Sequence, residues 1–341
     1  MEQDQGPVHA PEFPAGVTWL QGGPLRMADL RGKPVLIDFW DYTCVNCIRT
    51  LPYLNEWHRR YGELGLTIVG VHAPEFSFAR DAGNVQRAVI EHGIKYPVVL
   101  DNDYAIWQAY ANRYWPAKYL IDGNGYIRGY HHGEGAYRET EEALQALLRE
   151  SFPEVLLPGL MDPVREEDAP GAVCYRVTPE LYLGWQRGAY ANTNLVPDRP
   201  ATYRDPGKHM DGFAYLHGDW LVSGEYAARP AGASGESRIV VPYMAKDVNL
   251  VMHPPAFGGA ATIRVEQDGR PLAAEDAGED VVVADGAATV SVDRPRMYRL
   301  VRNREIDRHE LALTTTSDGV ALFAFTFTSC VVPGGDADGA S

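Results

Sequence analysis

The sequence predicts an α/β domain with a mixed sheet, followed by an all-β domain of antiparallel sandwich or jelly-roll type. Three observations support this. The first half alternates short apolar runs with segments of helical periodicity. The second half carries β-rich runs separated by Gly, Asp and Pro, without a helical pattern. The length, 341 residues, exceeds what one core comfortably serves.

The elements follow in order. Residues 35–40 and 66–71 read as short buried strands. Between them Ile48, Leu51, Leu54, Trp57 and Tyr61 recur at helical spacing, predicting a helix over 48–61 with a kink or irregular turn at Pro52. A second helix is predicted over 84–92, closed by Gly93, then a strand over 96–100 and a helical stretch over 105–110. Residues 118–121 and 126–130 flank Asp122-Gly123-Asn124-Gly125 and read as a hairpin. An amphipathic helix is predicted over 140–149. The character changes near Pro153, so a first domain is expected over 1–153. An irregular connection packing on the second domain is expected over 154–205, and a β-sandwich over 206–332. Strands are read at 237–243, 248–252, 262–266, 281–283, 289–292, 297–301, 310–315 and 321–328. The remaining Gly/Asp/Ala-rich residues, 333–341, read as a flexible tail.

Composition excludes some classes. The formal net charge is -15, with 31 Lys and Arg against 46 Asp and Glu. No basic stripe is present, so nucleic acid is not an expected partner. No apolar run approaches the roughly 18 residues that span a bilayer. The first fourteen residues are polar and lack the apolar region of a secretory signal. Four cysteines are too few for a disulfide scaffold.

The chemistry is carried by Cys44-Val45-Asn46-Cys47, directly after the strand over 35–40. This spacing puts two thiols on one helical turn, close enough to form and break a disulfide. A helix N-terminus carries partial positive charge, so the pKa of Cys44 is expected to fall and Cys44 to attack. Cys47, one turn further in, would resolve the mixed disulfide. Zinc needs about four ligands, and neither a second CxxC nor a CxxH is present, so no metal is expected. His72, His131 and His132 read as strand-edge or loop residues. Asp38 is an acid inside an apolar strand. Buried beneath the disulfide, it would take the Cys47 proton; at a strand end it would point to solvent. Trp115-Pro116 precedes the strand over 117–121 and fits a turn of either peptide isomer. Trp40, Val45, Asn46 and Trp115 flank this constellation and are the expected substrate contacts.

These residues carry a resemblance. Asp38-Phe39-Trp40 through Cys47 resembles the thioredoxin superfamily, and the segment before Pro116 is similar to the central insertion of TlpA-like thiol-disulfide oxidoreductases. Residues 40–50, 70–76, 114–122, 178–184 and 245–251 resemble the soluble C-terminal part of DipZ-type proteins. The resemblance implies a thioredoxin-like domain followed by a carbohydrate-binding-module-like, or galactose-binding-like, β-sandwich. It implies that Pro116 is a cis-proline and that Asp38 occupies the buried-acid position. It also suggests that Glu75 lies near the thiols, where its carboxylate would raise their pKa; an exposed loop position is the alternative. The implied activity is disulfide exchange with protein thiols and disulfides, without metal or organic cofactor. The implied location is extracytoplasmic, with a membrane electron-transfer protein as redox partner. A thiol peroxidase using Thr43 and Arg49, or a binding module with incidental thiols, are the alternatives.

In the β-rich half, Cys174 and Cys330 lie near the two ends. They are either a structural disulfide or two separate thiols. Trp185, Tyr215, Trp220 and Tyr226 either form a platform for a glycan or belong to the core. A protein ligand is the other partner considered for this half.

Overall fold

A six-stranded mixed sheet organises the first half of the chain. Its strands are Thr18–Gln21 (β1), Val35–Trp40 (β2), Thr67–His72 (β3), Val98–Leu100 (β4), Ala117–Ile121 (β5) and Ile127–His132 (β6), in the order β1-β4-β3-β2-β5-β6. The computed structural model describes residues 8–331; the expected tail over 333–341 lies outside them. Strands β2, β3 and β4 run parallel, while β1, β5 and β6 join antiparallel. Each parallel step needs a crossover. These are Val45–Tyr61 (α1) and Ala82–Glu91 (α2). Ala105–Ala109 (α3) and Tyr137–Ser151 (α4) complete the helices of this half.

Strand β2 is buried along its whole length, as a central strand covered on both faces must be. Side chains alternate between faces. Leu36 and Trp40 join Leu51, Leu54, Trp57 and Tyr61 of α1 in one cluster. Val35, Ile37 and Phe39 join Ile106, Tyr110 and Tyr119 in the other. Asp38 therefore belongs to the α1 face. Helix α1 begins three residues before the expected start, because Cys44 itself is its N-cap. Pro52 lies inside the helix without ending it. It only removes the N–H that would bond the Ile48 carbonyl. Strand β1 escaped the sequence reading; four half-exposed residues give too short a pattern.

The chain divides into two units after Ala169, beyond the boundary expected at Pro153. Residues 157–168 belong to the first unit. Leu157 and Met161 pack on the α1-side cluster. Buried Glu141 accepts from the Tyr61 hydroxyl and from Met161 N–H. The Tyr53 hydroxyl donates to Asp168 at 2.7 Å and accepts from Val164 N–H at 2.9 Å.

The second unit is an 11-stranded β structure around a cluster containing Trp220, Tyr243, Tyr298 and Phe325. A two-stranded sheet stands apart, and the other eleven strands form one hydrogen-bonded network. The reason is two long strands, Ser237–His253 and Arg296–Thr315, each read from the sequence as two. They pair from Ser237↔Thr315 to Met252↔Arg296, with register shifts at Ala245/Asp247 and Val248/Asn249. Bulges let a strand bend and continue. In the polar stretch over 302–309, Arg302, Asp307, Arg308 and His309 stay paired with Ser237–His253, and the register shift skips residues 303–306. Cys174 and Cys330 are disulfide-bonded between the paired strands Val173–Cys174 and Cys330–Val331. Tyr215 and Trp220 are buried, whereas Trp185 is exposed. Tyr226 packs on Phe323. Two of the four candidate platform residues are thus unavailable to a sugar.

Candidate active site

The loop leaving β2 turns sharply into α1, and Asp41 shapes that turn. Its carboxylate accepts from Thr43 N–H and Thr43 Oγ1–H, both at 2.6 Å, and from Glu75 N–H at 2.7 Å. One buried side chain thus ties the loop carrying Cys44 to the loop after β3. The sequence reading missed it. The available signal was the Asp-x-Thr spacing of an Asx turn before a helix.

Cys44 and Cys47 are free cysteines, the first partly exposed and the second buried. Cys44 Sγ caps α1 by accepting Cys47 N–H at 3.3 Å. The expected fall in the Cys44 pKa does not occur. Burial pushes the thiol up, and the Glu75 and Asp41 carboxylates add to this. Hydrogen bonds from Cys47 oppose the shift but are outweighed. Glu75 acts on the thiol in the direction its suggested position implies. The Cys47 thiol is pushed well up by burial, then by its hydrogen bond to Cys44 and the charges of Cys44 and Asp38.

Asp38 is 1% exposed. Neither of its carboxyl oxygens has a hydrogen-bond partner among the described residues. Burial raises its pKa to about 7, against the pull of Lys118. Lys118 lies directly opposite on β5, in register with Asp38, and is itself 1% exposed. It was not among the residues singled out in the sequence, because only strand register pairs it with Asp38.

The Trp115–Pro116 peptide is cis. Since Phe39 pairs with Ala117, Pro116 falls at the end of β2 from which the Cys44 loop departs. Trp115 donates its indole N–H to Ala73 O at 2.9 Å and packs on Trp107. Asn46 is half-buried and Val45 is nearly covered. Trp40 is fully buried, edge-on to His72. It cannot touch a substrate, and its place is in the core. His72 is buried too, its Nε2 3.8 Å from Asp41. Burial lowers its pKa to about 3, so it is neutral at ordinary pH. His131 and His132 lie on β6, with His131 Nε2 3.1 Å from Glu134 O. Thr43 and Arg49 do not converge on Cys44: Arg49 pairs with Glu134 at 3.3 Å.

The sequence relatives agree with this architecture. Residues 8–130 match the AhpC/TSA family, and residues 178–328 match the thioredoxin like C-terminal domain. The chain is 36% identical to Protein DipZ of Mycobacterium bovis over 93% of its length, and spans 42% of that protein. It is 32% identical to the thiol-disulfide oxidoreductase YkuV of Bacillus subtilis, covering 41% of this chain and 95% of YkuV. It is 33% identical to the thiol-disulfide oxidoreductase ResA of Bacillus thuringiensis, covering 42% of this chain and 77% of ResA. With a parallel β2-α1-β3 core, a CxxC pair capping α1 and a cis-proline before β5, the chain belongs to the TlpA-like branch of the thioredoxin superfamily.

Proposed function

We propose that this chain is a thiol-disulfide oxidoreductase that exchanges disulfides with protein substrates through Cys44 and Cys47. The observation that carries this reading is the asymmetry of the pair: a partly exposed thiol at the helix cap and a buried one a turn below it. Cys44 attacks a substrate disulfide as the thiolate, forming a Cys44–substrate bond and releasing the first substrate sulfur. Cys47 then gives its proton to the Asp38 carboxylate and attacks Cys44 Sγ. The second substrate sulfur leaves, and a Cys44–Cys47 disulfide remains. Two electrons have passed from the protein dithiol to the substrate; the same steps run backwards oxidise a substrate dithiol. No cofactor enters. Pro116, Trp115, Val45 and Asn46 border the path of the substrate chain. Burial, with the Glu75 and Asp41 carboxylates adding to it, keeps the Cys44 thiol protonated at neutral pH, so exchange accelerates as pH rises.

The chain acts outside the cytoplasm, where disulfides persist, and exchanges electrons with a membrane electron-transfer protein. The second unit recruits a protein or glycan ligand. The AhpC/TSA match favours a peroxidase as the second reading. Against it, the Thr43 hydroxyl is bonded to Asp41 and Arg49 is paired with Glu134, leaving neither poised over a peroxide.

Reduction of insulin disulfides by the prereduced chain tests the proposal. The wild type should reduce them and Cys44→Ser should not. Peroxide consumption with a burst at Cys44, and no insulin reduction, would favour the peroxidase.

A further inference from the structure

In the second unit, the segment 205–213 lies over a small apolar patch apart from the main core. The patch is Tyr215, Val240 and Ala312, all buried, with Ala191 and Phe213 packed against it. Among the described residues, no backbone–backbone hydrogen bond ties 205–213 to the rest of the unit. Side chains hold it instead. The Tyr215 hydroxyl accepts from Met210 N–H at 2.6 Å, and Asp211 pairs with Arg308 at 3.0 Å on the surface. The centre of the attachment is His209. Its Nε2 lies 2.7 Å from Asp205 Oδ1 on the same segment. Its Nδ1 lies 2.5 Å from Glu310 Oε2 on the strand Arg296–Thr315. Its ring centre is 4.4 Å from that of Tyr215. A carboxylate only accepts hydrogen bonds, so a ring bonded to one at each nitrogen must donate from both. His209 is therefore an imidazolium in this geometry. A neutral ring has a single N–H, and its bare nitrogen would face a carboxylate. An exposed ion pair such as Arg308 with Asp211 contributes little, so the His209–Glu310 contact is the main charged tie to the strand.

We propose that His209 is a pH-sensitive latch: protonated, it clamps the segment 205–213 over the apolar patch between Asp205 and Glu310, and on losing its proton it releases the segment. The charged and titratable groups around it come from four elements. Asp205, Lys208 and Asp211 share its segment. Glu310 and Arg308 come from Arg296–Thr315, and Tyr215 from Tyr215–Val222. Arg238, on Ser237–His253, acts on Asp205. Asp268 flanks Glu310, accepting its N–H at 2.8 Å and pairing with His309 at 2.7 Å. Burial opposes the charge on His209, but the hydrogen bonds and charges of Asp205 and Glu310 outweigh it and raise its pKa. With the segment released, the ring returns to the ordinary histidine value of about 6.5. Below that value the clamped and released forms both carry the proton, and the latch holds at full strength. Its strength is lost as pH rises through the raised value. The proton then leaves to water, and the carboxylates of Asp205 and Glu310 flank a neutral ring that can donate to only one of them.

Amide hydrogen exchange of the full chain, read by mass spectrometry, tests the latch. Labelling at about pH 6 and about pH 8.5 brackets the range in which histidine titrates, with labelling times scaled so that intrinsic exchange is equal. In the wild type, protection over 205–213 should be several-fold lower at the higher pH, while protection over 248–252, in the core of the sheet, should hold. In His209→Gln, protection over 205–213 should already be low at the lower pH and should no longer vary. Equal protection at the two pH values in the wild type, an equal fall over 248–252, or an unchanged pH dependence in His209→Gln would overturn the proposal. Should His209→Gln fail to fold, Glu310→Gln decides. Removing one of the two carboxylate charges should move the loosening of the wild type to lower pH, and an unmoved midpoint would overturn the latch. The readout involves neither Cys44 nor Cys47, so its outcome is separate from that of the oxidoreductase reading.

Discussion

At the scale of single residues, the site is governed by burial. Asp38 has its pKa raised to about 7 in the folded chain, against about 3.9 when unfolded. Below pH 4 both states hold the proton and stability is unaffected. Between pH 4 and 7 the unfolded chain loses its proton while the folded chain keeps it. Stability therefore falls as pH rises through this window, and the loss levels off above pH 7, at about 4 kcal/mol. Asp38→Asn should accordingly be more stable than the wild type at pH 8 and nearly equal to it at pH 4, as measured by urea unfolding. It should also lose the proton acceptor for Cys47 and resolve mixed disulfides at least tenfold more slowly. A variant that is less stable at pH 8 would contradict the assigned environment. Cys44, Cys47 and Asp38 were legible in the sequence, because thiol spacing and an acid in an apolar strand are local signals. Asp41 and Lys118 were not. Asp41 works by reaching the Glu75 amide across a long sequence gap, and Lys118 works through strand register. The sign of the Cys44 shift was also misjudged, since the sequence shows the helix start but not the burial and carboxylates around it.

At the scale of elements, strand and helix types followed from periodicity, and ends and continuity were lost where polar residues continue a ladder. Met244 is 42% exposed yet stays paired, opposite Arg308. A hydrophobicity pattern reads such a position as a break. The segment over 157–168 was misplaced for a similar reason: its Pro-rich composition looks like a linker, while its attachment depends on individual buried polar groups. Glu141 is the central one, with Tyr61, Met161 N–H and Arg60 as partners. Glu141→Ala leaves these donors unsatisfied and should cost about 3 kcal/mol. It should also speed amide hydrogen exchange over 158–164. Unchanged exchange there would show that the apolar contacts of Leu157 and Met161 suffice to hold the segment.

At the scale of the whole molecule, the two units are stabilised differently. Among the described residues the first unit has no disulfide, and its core is shared between the two faces of one sheet. The second is closed by a disulfide across a sequence separation of 156. By the chain-entropy argument such a loop is worth about 5 kcal/mol. The double variant Cys174→Ala/Cys330→Ala should therefore unfold its second unit at markedly lower denaturant, with little change in insulin reduction by the first. Loss of both together would mean that the redox site depends on the second unit. No helix of the described residues is long and apolar enough to cross a membrane. The central claim is that Cys44 attacks and Cys47 resolves, and trapping tests it most directly. Cys47→Ser, incubated with an oxidised protein substrate, should accumulate a mixed disulfide at Cys44 that dithiothreitol releases, while Cys44→Ser should accumulate none. An adduct on Cys47 in the Cys44→Ser chain, with none on Cys44 in the Cys47→Ser chain, would contradict the account.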